Sequence, residues 1–313
     1  MSVLYKSDIA RGRSWARIFA EQAPDIEFHL WPETGNLAAV EYLIAWQPPP
    51  GLLAALPNLK VLFSSGAGVD QMDLSAVPPH VPVVRMVEPG IVNGMIEYVT
   101  MSVLALHRNF IDYVRAQAVG AWQPIEVVPA SARSVGVMGL GVLGRDAALA
   151  LRRLGFRVAG WSRTPKTLAA VETFHGDDGL DAFLRRTEIL VCLLPATPAT
   201  HGMLKLELIR NLKRDGAAAG AYLINAARGA LQVDADILAA LEEGSLAGAT
   251  LDVFASEPLA PASPLWRHPK VTITPHNAAA SDPRALVANV LRQIERFEAG
   301  LPLEHVVDRA LGY

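Results

Sequence analysis

Two groups of residues in this chain could carry chemistry by type and spacing. The first is Gly139-Leu140-Gly141-Val142-Leu143-Gly144. The apolar run Ser134-Val135-Gly136-Val137-Met138 precedes it, and Arg145 to Leu154 follows with helical spacing, closed by Gly155. A glycine turn between a strand and a helix suits a dinucleotide. One glycine makes the turn, one admits a pyrophosphate to the backbone, and one lets helix and strand pack closely. The anion would rest on the helix N-terminus, where unpaired N–H groups and the dipole favour negative charge. A plain strand–helix turn is the competing reading, and the second strand that follows the helix weighs against it. The second group is Arg228, Glu257 and His276, each just past an apolar run that reads as a strand. Singly they have ordinary explanations: a solvated loop arginine, a turn glutamate, a structural histidine. Together, beside a nicotinamide, they suit reduction of a 2-keto acid. Arg228 can hold the substrate carboxylate and polarise the carbonyl. His276 can protonate the carbonyl oxygen as hydride arrives. Glu257 can hold one ring nitrogen, favouring the charged ring and fixing its tautomer. No metal is required, because the cations are side chains.

The choice of nucleotide is expected at the end of the next strand, ~20 residues on, where an NAD site usually carries an acid for the ribose 2′-hydroxyl. Here the residues are Trp161-Ser162-Arg163-Thr164-Pro165-Lys166, with no acid among them. Arg163 can stack on adenine and pair with a 2′-phosphate, Ser162 and Thr164 offer hydroxyls, and Lys166 adds charge. The expectation is NADP(H) in preference to NAD(H). The alternative is that Arg163 and Lys166 decorate a surface turn.

These residues need a scaffold, and the remaining sequence supplies one. Apolar runs at Val3-Leu4-Tyr5, Tyr42–Trp46, Val61–Ser64 and Val83-Val84-Arg85 read as strands in the first third. Further runs are Phe156–Trp161, Ile189–Leu194, Tyr222–Ile224, Ala249–Val253 and Val271–Thr274. Their nearly continuous apolar character suits a parallel sheet covered on both faces, and their alternation with helical patterns implies a doubly wound α/β fold. Asn93 to Gln117 reads as one helix or a helix pair. The chain has 313 residues, 51% hydrophobic and 19% charged, so a sizeable core is expected and disorder is not. A formal charge of -3 argues against a nucleic-acid binder. The single cysteine, Cys192, excludes an internal disulfide and reads as a buried thiol. No signal-peptide core is visible at the start, and no apolar stretch reads as long enough to span a bilayer. A cytoplasmic protein is the default. Ala217-Ala218-Ala219 is the nearest thing to low complexity.

The ordered blocks resemble the D-isomer-specific 2-hydroxyacid dehydrogenases, and within them most nearly the bacterial glyoxylate/hydroxypyruvate reductase branch. The blocks are the glycine turn, Trp161–Thr164, Leu193–Pro198, Ile224–Gly229, Leu251–Leu259 and Ile273–Ala279. Weaker similarity runs through Trp46–Pro49 and Gly66–Asp70. The resemblance implies two Rossmann-like parallel-sheet domains. A discontinuous substrate-binding domain covers 1–97 and 281–313, with Ser281-Asp282-Pro283 starting the return, and an NAD(P)-binding domain covers 98–280. It implies Arg228, Glu257 and His276 as the catalytic trio. It places Leu194, Pro195, Ala226, Asp252 and Ala279 beside the nicotinamide, with Asp252 accepting from the carboxamide. The backbone of the loop with Ala67 and Gly68 would hold the substrate carboxylate, with Trp46 and Arg85 in the pocket. Substrates would be small 2-keto acids. The family is usually dimeric through the coenzyme domain, and Phe110–Pro124, with Trp122, could reach a partner. Asn277 departs from the pattern, since relatives generally have an apolar residue there. Glu257 argues against formate dehydrogenase, which has glutamine at that position. The missing ribose acid and the lack of a further regulatory domain argue against phosphoglycerate dehydrogenase. A cofactor-sensing corepressor of the same fold keeps the trio and is the rival reading.

Overall fold

The computed structural model describes residues 1–216, 220–279 and 282–312; the Ala217–Ala219 tract and Ser281 lie outside them. The chain forms two compact units, Met1–Ile91 with Ala280–Tyr313, and Val92–Ala279.

The first unit contains β1 (Ser2–Lys6), α1 (Ile9–Gln22), β2 (Glu27–Leu30), β3 (Tyr42–Ala45), β4 (Val61–Ser64) and β5 (Val83–Val84). The strands form one parallel sheet in the order β2-β1-β3-β4-β5. β3 and β4 are wholly buried, as strands covered on both faces must be. Asp8 starts α1 by accepting a hydrogen bond from the Arg11 amide at 2.7 Å. β2 is absent from the expected strands. It is an edge strand, half exposed, and Glu27-Phe28-His29-Leu30 has too little apolar character to register.

Next come α2 (Pro89–His107) and α3 (Phe110–Ala118). They resolve the long helical stretch as a pair, broken at Asn109, whose backbone is left-handed with φ 55°. α2 also corrects the expectation that nothing is long enough to cross a bilayer: its 19 residues reach that length and apolarity. Glycines, Asn93 and Glu97 break up the apolar run, which is why it does not stand out in the sequence. In the fold α2 is a core helix on one side. Met95, Tyr98, Val99, Val103 and Leu106 pack on the second sheet, while Asn93 and Glu97 are exposed.

The second unit continues with β6 (Ser134–Met138), α4 (Val142–Arg153), β7 (Arg157–Ser162), β8 (Glu172–His175) and α5 (Gly176–Leu184). β9 (Ile189–Cys192), α6 (Leu206–Arg210), β10 (Ala221–Asn225), α7 (Asp234–Glu243), β11 (Leu246–Leu251) and β12 (Val271–Ile273) complete it. The sheet is parallel, in the order β12-β11-β10-β9-β6-β7-β8. β8, another partly exposed edge strand, also escapes the sequence reading. Each face of the sheet carries its own core. On β9, Leu190 and Cys192 enter one cluster and Ile189 and Val191 the other. Pairing aligns Trp161, Met138, Cys192, Asn225, Leu251 and Ile273 across six strands. The carboxyl ends of these strands are therefore level, and every following loop opens on one edge. The order reverses about β6, so that edge is a topological switch point, the usual place for a ligand in such sheets. The last helix, α8 (Pro283–Glu298), returns to the first unit. Asp282 caps it, and Leu286, Val287, Val290 and Ile294 form its buried stripe.

Candidate active site

At the β6–α4 turn the three glycines differ in backbone conformation and in the room around them. Gly139 has φ +106°, and a Cβ there would lie 2.6 Å from the Leu193 carbonyl oxygen. A Cβ on Gly144 would lie 1.8 Å from the Gly139 carbonyl oxygen, so helix and turn touch backbone to backbone. Gly141, the N-cap of α4, faces open space. Val142 is exposed and Leu143 partly buried on the first turn. No acidic side chain occupies that first turn. The result is an open helix N-terminus that a phosphate can approach closely. The cradle fits a dinucleotide, and the open side of Gly141 is the place a pyrophosphate would fill.

Ser162, Arg163, Thr164 and Lys166 follow β7, next to the turn, where the Gly139 amide bonds the Trp161 carbonyl at 2.8 Å. Arg163, Thr164 and Lys166 are exposed. The expectation places Ser162 among the residues that offer hydroxyls to the nucleotide. It is buried, and its hydroxyl donates to the Thr164 carbonyl at 2.8 Å, since a buried hydroxyl needs a partner. Leu194 and Ala226 are buried, and Pro195 and Ala279 partly so, at the ends of β9, β10 and β12.

The trio sits on three adjacent loops. Arg228 follows β10 and donates to the Ala227 carbonyl at 2.8 Å. Its turn is built on Asn225, wholly buried. That side chain accepts from the Ala227 amide at 3.1 Å and donates to the Arg228 carbonyl at 3.2 Å and to Gln232 at 2.8 Å. Glu257 follows β11. One of its oxygens accepts from the Phe254 amide at 2.9 Å, and the other meets His276 Nδ1 at 2.6 Å. The pair is about one-third exposed. Gly229 brings two of the loops together: a Cβ there would lie 1.9 Å from the Phe254 carbonyl carbon. With Nδ1 held by a carboxylate, Nε2 is the nitrogen placed to exchange a proton with a substrate.

Asp252, 1% exposed, is the residue whose surroundings depart most from the sequence reading. Its carboxylate accepts from Thr274 Oγ1 at 2.5 Å and from the Asn277 and Ala278 amides at 3.0 Å each. The His276 amide donates to its carbonyl at 2.8 Å. Both oxygens thus serve the loop that carries His276. Thr274 and Gln232 go unmarked in the sequence. Neither residue type announces a role at its position, and only the fold gives each its partner.

In the first unit, Trp46, the loop 65–70 and Arg85 follow β3, β4 and β5 on one sheet edge. A Cβ on Gly66 would lie 2.6 Å from the Trp46 ring, so the indole lies against the loop. The loop is pinned by the Met86 amide on the Gly66 carbonyl at 3.1 Å and by Ser64 Oγ on the Gly68 carbonyl at 2.7 Å. Ala67, Gly68 and Arg85 are partly exposed, and the Arg85 amide bonds the His305 carbonyl at 3.1 Å.

Known proteins resemble this chain over its full length. The family model described as D-isomer specific 2-hydroxyacid dehydrogenase, NAD binding domain, matches residues 100–278. Glyoxylate/hydroxypyruvate reductase A of Serratia proteamaculans is 39% identical over 319 aligned positions, covering all of both chains. Its counterpart from Escherichia fergusonii is 40% identical over 96% of each chain. Among solved structures, an NADPH-dependent glyoxylate/hydroxypyruvate reductase from Sinorhizobium meliloti in complex with NADP and sulfate has a TM-score of 0.93. It is 42% identical and covers 100% of this chain and 99% of its own. A probable 2-hydroxyacid dehydrogenase from Rhizobium etli, in complex with NADP, HEPES and L(+)-tartaric acid, gives a TM-score of 0.92 at 43% identity, with the same coverage.

Proposed function

The chain belongs to the D-isomer-specific 2-hydroxyacid dehydrogenase family, and from that premise we propose that it is an NADPH-preferring reductase of small 2-keto acids, glyoxylate and hydroxypyruvate foremost. The observation that carries the proposal is the 2.6 Å His276–Glu257 pair beside the Arg228 turn, on the edge that holds the glycine cradle. Gly139, Gly141, Val142, Leu143 and Gly144 would hold the pyrophosphate. Arg163, Lys166 and Thr164 would hold the 2′-phosphate, with Ser162 shaping their turn. Leu194, Pro195, Ala226, Asp252 and Ala279 would line the nicotinamide side. When bound, the nicotinamide supplies the hydride. Arg228 binds the substrate carboxylate and draws electron density toward the carbonyl oxygen. His276 gives its Nε2 proton to that oxygen, and Glu257 offsets the charge on the ring while it is protonated. Trp46, Ala67, Gly68 and Arg85 of the first unit, the substrate-binding domain in this reading, would bind and size the substrate. The second unit would be the coenzyme domain. Exposed Phe110, Tyr113, Val114, Val119, Trp122 and Ile125 of the second unit support a homodimer built on that unit. Dependence on a nicotinamide nucleotide favours the cytoplasm.

The test is the initial rate at 340 nm with NADPH and with NADH, across glyoxylate, hydroxypyruvate, pyruvate and a bulky aryl keto acid. Fast oxidation of NADPH by the two small acids is expected. Arg163→Ala should raise the KM for NADPH about tenfold or more, the worth of a charged hydrogen bond, and leave NADH kinetics nearly unchanged. Equal use of both cofactors would remove the assignment of Arg163. Cofactor binding without turnover of any acid would favour a cofactor-sensing binding protein.

A further inference from the structure

The backbone of His276 is left-handed, with φ 51°. A side-chain-bearing residue rarely holds that conformation unaided, so the surroundings must impose it. Here the imposing group is Asp252. The amides of His276, Asn277 and Ala278 all turn toward it, the first onto its carbonyl and the other two onto its carboxylate. Consecutive amides around a left-handed residue form a concavity for an anion, and the buried carboxylate is that anion.

A buried carboxylate needs donors, and one more comes from a distance. Thr274 Oγ1 lies 2.5 Å from Asp252 Oδ1 and 2.8 Å from the Tyr98 hydroxyl. The Thr274 hydroxyl donates to the Asp252 carboxylate. Thr274 then accepts from Tyr98, and the chain runs Tyr98 to Thr274 to Asp252, each hydroxyl polarising the next. Burial pushes the Tyr98 hydroxyl up to about 12, so it stays a donor throughout the working range of pH. Tyr98 sits on α2, 178 positions before His276 in the chain.

We propose that Tyr98 is a positioning residue for the proton donor: through Thr274 and Asp252 it holds His276 in its left-handed backbone, with the ring on Glu257. The proposal rests on the reading of His276 as the proton donor. Tyr98→Phe removes one buried hydroxyl and keeps the ring, so the protein should fold. Its kcat with glyoxylate should fall ~5–20-fold, the worth of a lost hydrogen bond, with KM for NADPH and for the keto acid within about twofold. Thr274→Val should do the same, and Thr274→Ser should restore near wild-type turnover. The double variant should be no worse than Thr274→Val alone, because that change already cuts the chain. Hydrogen exchange at the Asn277 and Ala278 amides should quicken in both single variants, while the amides of β6 stay protected. Wild-type kcat in Tyr98→Phe, or effects that multiply in the double variant, would overturn the proposal. So would loosening spread evenly over the whole unit, which is what a purely structural tyrosine would produce. If the wild-type protein reduces no keto acid, the functional reading fails, while exchange at Asn277 and Ala278 still decides the proposal: quickened exchange upholds the clamp and unchanged exchange ends it.

Discussion

At the scale of single residues, the chemistry rests on a division of labour that kinetics can separate. In the proposed mechanism His276 gives a proton in the transition state, so His276→Ala should lower kcat by ~10²–10⁴-fold, the usual worth of a general acid, with NADPH affinity unchanged by fluorescence titration. In the same proposal Arg228 meets substrate in both ground and transition states, so Arg228→Ala should raise the KM for the keto acid and lower kcat together. Arg228→Lys should recover little, because an ammonium cannot reproduce a planar two-point contact. Near wild-type constants in either alanine variant would remove that residue from the mechanism. Asp252 carries contacts that its expected place beside the nicotinamide does not announce. Its carboxylate is engaged by Thr274, Asn277 and Ala278, so its first duty is to the shape of a loop.

At the scale of elements, close backbone approaches decide which glycines matter for stability and which for the ligand. Gly144 has no room for a methyl group, and Gly141 faces open space in an extended conformation any residue can adopt. Gly144→Ala should therefore destabilise the protein by at least ~2 kcal/mol, as overpacking does, and lower Tm by several degrees. Gly141→Ala should leave Tm unchanged and weaken NADPH binding, read by titration. A stable Gly144→Ala protein would mean that the turn relaxes more easily than its contacts imply. The arrangement of the trio is likewise a property of elements. β10, β11 and β12 are neighbours in register, so three loops of different length start from one line.

At the scale of the whole molecule, the feature to explain is an apolar surface running over α3 and the segment that follows it. Trp122 is 98% exposed and Phe110 60%. Patches of this kind mark interaction surfaces. Light scattering after size exclusion should give twice the chain mass of 33.6 kDa. Phe110→Glu with Val114→Glu should shift the mass to that of one chain, with the circular dichroism unchanged. A monomeric wild-type protein would refute the homodimer. α2 carries the same lesson about apolar surface. By length and composition it could cross a membrane, yet Tyr98, Val99 and Val103 are core residues of the second unit.

Local spacing and residue type were enough to read part of this molecule. Strands buried on both faces announce themselves by apolar runs, and the glycine turn by its place between a strand and a helix. Arg228, Glu257 and His276 stand out because ionisable groups just past apolar runs must lie at strand ends. The half-exposed edges β2 and β8 gave no such signal, since an edge strand needs little apolar surface. Which distant groups meet, by contrast, depends on packing. The register that levels Asn225, Leu251 and Ile273 is set by pairing between segments far apart in the chain. The close approach of Gly229 to Phe254 and the bond from Tyr98 to Thr274 are also contacts between such segments. Such contacts leave no periodicity in the sequence, because they depend on how the elements pack and not on their spacing along the chain.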